Sequence, residues 1–228
     1  MRSLLPISWR RRLRRSFDRC FCRPGLNLSR IGQGAAWTVL ASRLGPGSVV
    51  LSGGAGNDIS FELELASRFG CRVAVFDPSP TGSATFDAVQ VPPAGISFHK
   101  LGLANETRSI TFARPMDEAE GSFSVATTSL GTVEFACVSP KEALSVAGLG
   151  QPELLKIDIE GFEYEFLEKM IEQGIRPPQI AVEFHHFMAH VPLRRTLSVL
   201  WRLRRSGYVI AHKEQCDFLL IHRSVILP

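Results

Sequence analysis

A doubly wound α/β fold, with a mostly parallel sheet and an antiparallel hairpin at its carboxyl end, is predicted by three features of this chain. Short aliphatic runs bounded by turn residues recur along it, at "SVVLS", "CRVAVF" and "ELLKIDI", as strands buried on both faces require. Between them lie segments whose apolar residues are spaced three and four apart, the period of a helix. Near the carboxyl end "YVIAHKEQCDFLLIHRS" splits into two extended runs around Glu214–Gln215 and reads as a hairpin, leaving one antiparallel edge strand. Alternating strands and helices of this kind stack as helices on both faces of one sheet.

Composition bounds the rest. The chain has 228 residues, 45% apolar and 21% charged, enough for one sizeable domain with an appendage. No apolar run reaches the ~18 residues of a membrane span, and the opening "MRSLLPISWRRRLRRSFDRCFCR" lacks the apolar core of a secretory signal. Of five cysteines only Cys20 and Cys22 are close, with no second ligand pair. That predicts reduced thiols in a cytoplasmic protein and no zinc site. The net charge of +4 is uneven: residues 1–30 carry nine arginines against one acid, Asp18. Trp9, Leu13, Phe17 and Phe21 recur every four residues there, a basic amphipathic helix stopped by Pro24-Gly25. We therefore divide the chain into a basic segment, 1–30, and a domain, 31–228. Residues 1–23 would either pack on the domain or lie at an anionic membrane surface. Nucleic acid is not expected, since no base-reading module is visible.

Along the domain, a short helix is expected around Ala35–Leu44, ended by "GPG". Val49–Leu51 is a strand and "SGGAGND" a glycine-rich turn. Phe61, Leu65 and Phe69 mark a helix ended by Gly70, and "CRVAVF" is a strand ending at Asp77-Pro78. "GISFHK" is a third strand. Residues 104–128, with "SITFAR" and "SFSVATT", read as a hairpin or extended excursion that shapes the acceptor pocket. "TVEFACVS" is extended, Lys141–Ala147 a short helix, and "ELLKIDI" a strand. "GFEYEFLEKMIEQG" is a helix with Phe162, Phe166 and Met170 on one face, and "QIAVEFHH" a further strand. "LRRTLSVLWRLRRSG" is a helix with Leu193, Leu197, Leu200 and Leu203 inward.

Four constellations could carry chemistry. Gly54 and Gly56 allow a tight turn and close approach of a ligand. Asp58 stands where a pyrophosphate-binding turn would have no acid, so the turn suits a ligand without phosphates and opposes a nucleotide-dependent oxidoreductase. Asp77, closing the second strand, is placed to accept ribose hydroxyls. Asp158 and Glu160 close the "LLKID" strand, where ligands of open α/β sheets bind, whereas Glu163, Glu165 and Glu168 read as helix-surface charges. Glu183, His185 and His186 close the next strand, a carboxylate beside imidazoles, as a general base needs. Asp158, Glu183 and a histidine would be the set for a divalent ion, though no metal is expected.

In this order, "VLSGGAGNDISFELELASRFGCRVAVFDPSP", "LLKIDIEGFEYEFL" and "VEFHH" resemble the FkbM-type S-adenosylmethionine-dependent methyltransferases over roughly residues 48–222. The resemblance implies a Rossmann-like class I methyltransferase fold with a seven-stranded sheet and a reversed terminal hairpin. It implies S-adenosyl-L-methionine as cofactor, held by Gly54, Ala55, Gly56, Asp58, Phe61 and Glu62 around the methionine part. Asp77 and Pro78 would lie at the ribose, and Gly102 and Leu103 at the adenine. The chain departs from the usual turn at Ser52, where an acid is common; Asp58 or Glu62 would substitute. The implied reaction is O-methylation of a sugar, glycolipid or polyketide-like hydroxyl, with Asp158, Glu160, Glu183, His185 and His186 as the catalytic candidates. A non-catalytic cofactor-binding protein of the same fold is the alternative.

Overall fold

The computed structural model describes residues 25–115, 123–124, 131–188 and 191–226. The basic helix expected within residues 1–23 lies outside them, as does most of "SFSVATT".

Two short strands, β1 (Ser29–Ile31) and β2 (Trp37–Val39), open the described chain as an antiparallel pair. The helix expected at Ala35–Leu44 is not formed. Trp37 and Val39 are buried while Thr38 is half-buried, an alternation of period two. Only Ala41–Arg43 turns, as a 3-10 helix. The 30/31 boundary falls inside β1, and Leu26 and Leu28 already pack on the core.

The central sheet is built from β3 (Val49–Gly53), β4 (Arg72–Phe76), β5 (Ile96–His99), β9 (Leu154–Ile157), β10 (Gln179–Glu183), β11 (Tyr208–Glu214) and β12 (Asp217–His222). Its seven strands run in the order β11-β12-β10-β9-β3-β4-β5. The β5-β4-β3-β9-β10 pairs are parallel, and β12 is antiparallel to both neighbours. The reversed strand is therefore not the edge strand that the sequence suggested: β12 inserts between β10 and β11, and β11 takes the edge. Three more strands, β6 (Gly102–Leu103), β7 (Arg108–Ala113) and β8 (Thr132–Val138), form a small sheet in the order β6-β8-β7.

The helices are α1 (Ser60–Phe69), α2 (Pro80–Asp87), α3 (Pro140–Val146), α4 (Glu163–Glu172) and α5 (Leu193–Arg205). Each strand of the sheet sends alternate side chains to two cores. On one face Leu155, Ile157 and Phe76 meet Phe166, Leu167, Val199 and Leu203 of α4 and α5. On the other, Val50, Val73 and Val75 meet Phe61 and Leu65 of α1 and Ile31 and Trp37 of the opening strands. Of the expected leucine stripe of α5, Leu203 is buried and Leu200 packs on the core, but Leu193 and Leu197 do not go inward. Thr196, Val199 and Leu203 are buried, while Leu193 and Leu197 point to solvent.

Candidate functional site

The cofactor-type half of the site forms where β3 and β4 end. Gly54 has φ +86°, and a Cβ there would collide with the Asp158 carbonyl. A glycine is thus needed for the turn to pass against the end of β9. The Asp77 carboxylate, buried behind the turn, accepts from Ala55 N at 2.8 Å, Gly56 N at 3.1 Å and Ser79 N at 2.8 Å. It therefore holds the glycine turn against the start of α2. Asp58 accepts from Ser60 N at 2.7 Å and from Ala35 N at 2.8 Å. These bonds hold its carboxyl below the ordinary range, against a desolvation that alone would raise it. They also tie the loop before β2 to the turn.

An open cleft of about 210 Å³ lies above these elements. One side is lined by Gly54 to Asp58, Asp77 to Ser79, Gly102 and Leu103; the other by Asp158 to Glu160. Ala35, Phe112, Phe123 and Phe162 add apolar walls. The excursion between β6 and β8 therefore does reach the site, through Phe112 and Phe123. Phe61 and Glu62 do not line the cleft. Phe61 is core, 6.5 Å in ring centroids from Trp37. Glu62 is buried, accepting from Ser52 Oγ at 2.5 Å and lying 3.7 Å from Lys156 Nζ. The Glu62 carboxylate thus stands beside Ser52, behind the wall of the cleft. Lys156, which the sequence reading passed over, lines the cleft and donates to the Gly54 carbonyl. A single cation inside a four-residue buried strand was the available signal.

The carboxylate half gathers around His185. Its Nδ1 lies 3.3 Å from Glu163 Oε1, and the same oxygen accepts from His185 N at 2.9 Å. Its Nε2 lies 3.6 Å from Asp158 Oδ1 and 3.4 Å from Glu160 Oε2. Glu163 is fully buried, so it is not the surface charge expected from the sequence. It also accepts from Gly161 N at 2.8 Å, fixing the turn after β9. In that turn Glu160 takes φ +53°, left-handed for a residue with a side chain, a conformation that collects at functional sites. Burial alone would lower the His185 pKa. The bond to Glu163 and the charges of Glu163, Glu160 and Asp158 outweigh it and raise the imidazole to about 9.

Glu183 stands opposite Asp217 across the antiparallel β10–β12 pair. Desolvation, then repulsion by Asp158, pushes Glu183 up to about 7, and the same two causes push Asp217 to about 6. Asp217 was not anticipated, because only the insertion of β12 beside β10 brings it there. Ligand atoms of Asp158, Glu183 and His185 all lie within 4.8 Å of one another, close enough to share a divalent ion. His186 turns away, to Thr196 Oγ1 at 3.4 Å and Cys216 Sγ at 4.0 Å. The structure thus brings together Asp158, Glu160, Glu183 and His185, adds Glu163 and Asp217, and leaves His186 apart.

A sheet of this strand order, with a glycine turn and strand-end acids over one cleft, defines a protein of the class I methyltransferase type. The Methyltransferase FkbM domain model matches residues 54–210, more than half of the chain, and the chain belongs to that family of methyltransferases. No curated protein matches it. Among solved structures it is similar to the Methanococcus jannaschii fibrillarin pre-rRNA processing protein, at 12% identity and TM-score 0.44, over 86% of this chain and 83% of that one. It is also similar to a methyltransferase from Pyrococcus furiosus, at 12% identity and TM-score 0.38, over 93% and 97%. A third is M. jannaschii TYW2 in complex with AdoMet, at 10% identity and TM-score 0.37, over 87% and 85%. Likenesses this weak leave the assignment resting on the family match and the strand order.

Proposed function

We propose that this methyltransferase uses S-adenosylmethionine and methylates a hydroxyl oxygen of a sugar, glycolipid or polyketide-like acceptor. The observation that carries the reading is the meeting of Asp158 and Glu160 with His185 at the wall of the cleft that Gly54 and Asp77 frame. The cleft fits such a cofactor: Gly54, Ala55 and Gly56 offer close backbone, Asp77, which holds that backbone in place, and Pro78 line the ribose side, and Gly102 and Leu103 form an apolar edge. Asp58, on the same wall, opposes a pyrophosphate. When bound, S-adenosylmethionine would supply a methyl group activated on a sulfonium sulfur.

The protein's own tasks are alignment and proton acceptance. An acceptor hydroxyl at the apolar walls of Phe112, Phe123 and Phe162 can donate to the Asp158 or Glu160 carboxylate. That carboxylate takes the hydroxyl proton as the new carbon–oxygen bond forms. His185, cationic at neutral pH, orients the two carboxylates, and Glu163 fixes the imidazole from its far side.

Calorimetric titration with S-adenosylhomocysteine, with NAD as control, tests the cofactor. Saturable binding of the former alone is expected; binding of neither, or of NAD, would sink the reading. Asp158→Ala should keep the fold and S-adenosylhomocysteine binding yet lose about 10²–10⁴-fold in turnover in an acceptor screen with labelled methyl donor. Turnover close to wild type would remove Asp158 from the mechanism.

A further inference from the structure

Helix α5 carries an apolar face wider than its packing on the domain covers. Thr196, Val199 and Leu203 are buried on the domain. Beside them, beyond the partly buried Leu200, Leu193, Leu197 and Trp201, spaced four apart, are 54%, 59% and 57% exposed. Phe187, on the loop leading into the helix, is 61% exposed and packs its ring 5.3 Å from that of His185. Single exposed apolar residues are ordinary, but a stripe of large ones along one helix marks a contact surface.

The charges beside this stripe identify what it meets. The helix holds five arginines (194, 195, 202, 204 and 205) and no acid. Arg195 and Arg202 lean back to Glu168 of α4, at 3.4 and 3.8 Å. Arg194, Arg204 and Arg205 are exposed, and the Arg205 guanidinium lies 4.7 Å over the Trp201 ring. Arg194 sits in the first turn, where the helix dipole disfavours a cation, so helix stability does not explain it. A second copy of the chain would set one arginine-rich face against another. The chain's own residues 1–24, with eight arginines and one acid, would do the same. Nucleic acid would meet the arginines but would leave two leucines without an apolar partner. Aromatic and leucine side chains flanked by arginines instead match the interfacial zone of an anionic bilayer, where the rings and aliphatic chains enter and the guanidinium groups reach the headgroups.

We infer that the outer face of α5, together with the exposed Phe187 that precedes the helix, docks this protein on an anionic lipid surface. The docking face is then coupled to the site: Phe187 lies against His185, and Thr196 on the inner side of the same helix contacts His186. This surface is made by α5 and does not depend on which acceptor is methylated.

The test uses the full chain and vesicles of equimolar phosphatidylglycerol and phosphatidylcholine, with pure phosphatidylcholine vesicles alongside. The protein should co-sediment with the anionic vesicles and much less with the neutral ones. The double variant Leu197→Glu/Trp201→Glu, both positions being exposed, should keep the wild-type melting temperature and lose roughly 10-fold or more of that partitioning. Tryptophan fluorescence should be quenched by brominated acyl chains in the wild type and much less in Trp201→Phe. Equal sedimentation of the double variant would overturn the inference. So would quenching undiminished in Trp201→Phe, which would place the contact at Trp9. A concentration-dependent dimer abolished by the double variant, or binding to single-stranded RNA with none to vesicles, would overturn it in favour of those partners.

Discussion

Glu163 shows how one buried acid can set the properties of a site it does not line. With its carboxylate against His185 Nδ1, the imidazole is held with Nε2 toward Asp158 and Glu160. Glu163→Gln keeps the shape and removes the charge. The His185 pKa should then fall from about 9 toward its ordinary 6.5, read by following the imidazole resonances against pH. An unchanged titration would mean that Asp158 and Glu160 alone hold the proton. Gly54 is a second single-residue test. Gly54→Ala meets both a positive φ and the Asp158 carbonyl. It should cost about 1–3 kcal/mol in chemical denaturation and weaken S-adenosylhomocysteine binding with it. At this scale the sequence was partly legible. Asp158 and Glu160 announced themselves as acids ending an apolar run. Glu163 looked like any helix acid, because only the neighbouring strand end makes it interior.

At the scale of elements, the parallel strands and their helices were readable because both faces of each strand are apolar and each helix has a period. The failures share a cause: two periods fit one short segment. "AAWTVLASRL" suits a helix by residue type, yet Trp37 and Val39 go inward as alternate residues of a strand. In α5 the leucines at 193, 197, 200 and 203 suggest one stripe, yet the domain buries Thr196, Val199 and Leu203, with Leu200 at the margin, and leaves Leu193 and Leu197 outside. The α4 helix offers a stability test. Phe166 is fully buried between the sheet and its neighbours. Phe166→Ala should cost about 3–5 kcal/mol, measured by urea unfolding. A loss below ~1 kcal/mol would show that the core around α4 is not packed as described.

For the molecule as a whole, the site's charges make stability depend on pH in one direction. The His185 imidazole is raised from 6.5 to about 9 in the fold, so its contribution is complete below pH 6.5 and is lost as pH rises through 9. Glu183 and Asp217 are raised from 4.5 and 3.8 to about 7 and about 6. The fold prefers their protonated forms, and that preference too is lost as pH rises through those values. The melting temperature should therefore decline between pH 6 and 9, and the decline should flatten in a Glu183→Gln/His185→Gln variant. A melting temperature that climbs over this range would contradict the charge arrangement.

The insertion of β12 between β10 and β11 has a consequence for how the chain is made. Residues 217–222 follow every other strand of this sheet in the chain, yet they fill an interior place in it. Until they emerge, β10 has a bare hydrogen-bonding edge and Glu183 has no Asp217 across from it. The sheet is therefore unfinished around Glu183 until β12 has been made, and the nascent chain exposes a sticky strand while it waits. A chain stopped after Glu214 should aggregate during synthesis rather than accumulate as a smaller soluble domain, whereas one stopped after Val225 should fold.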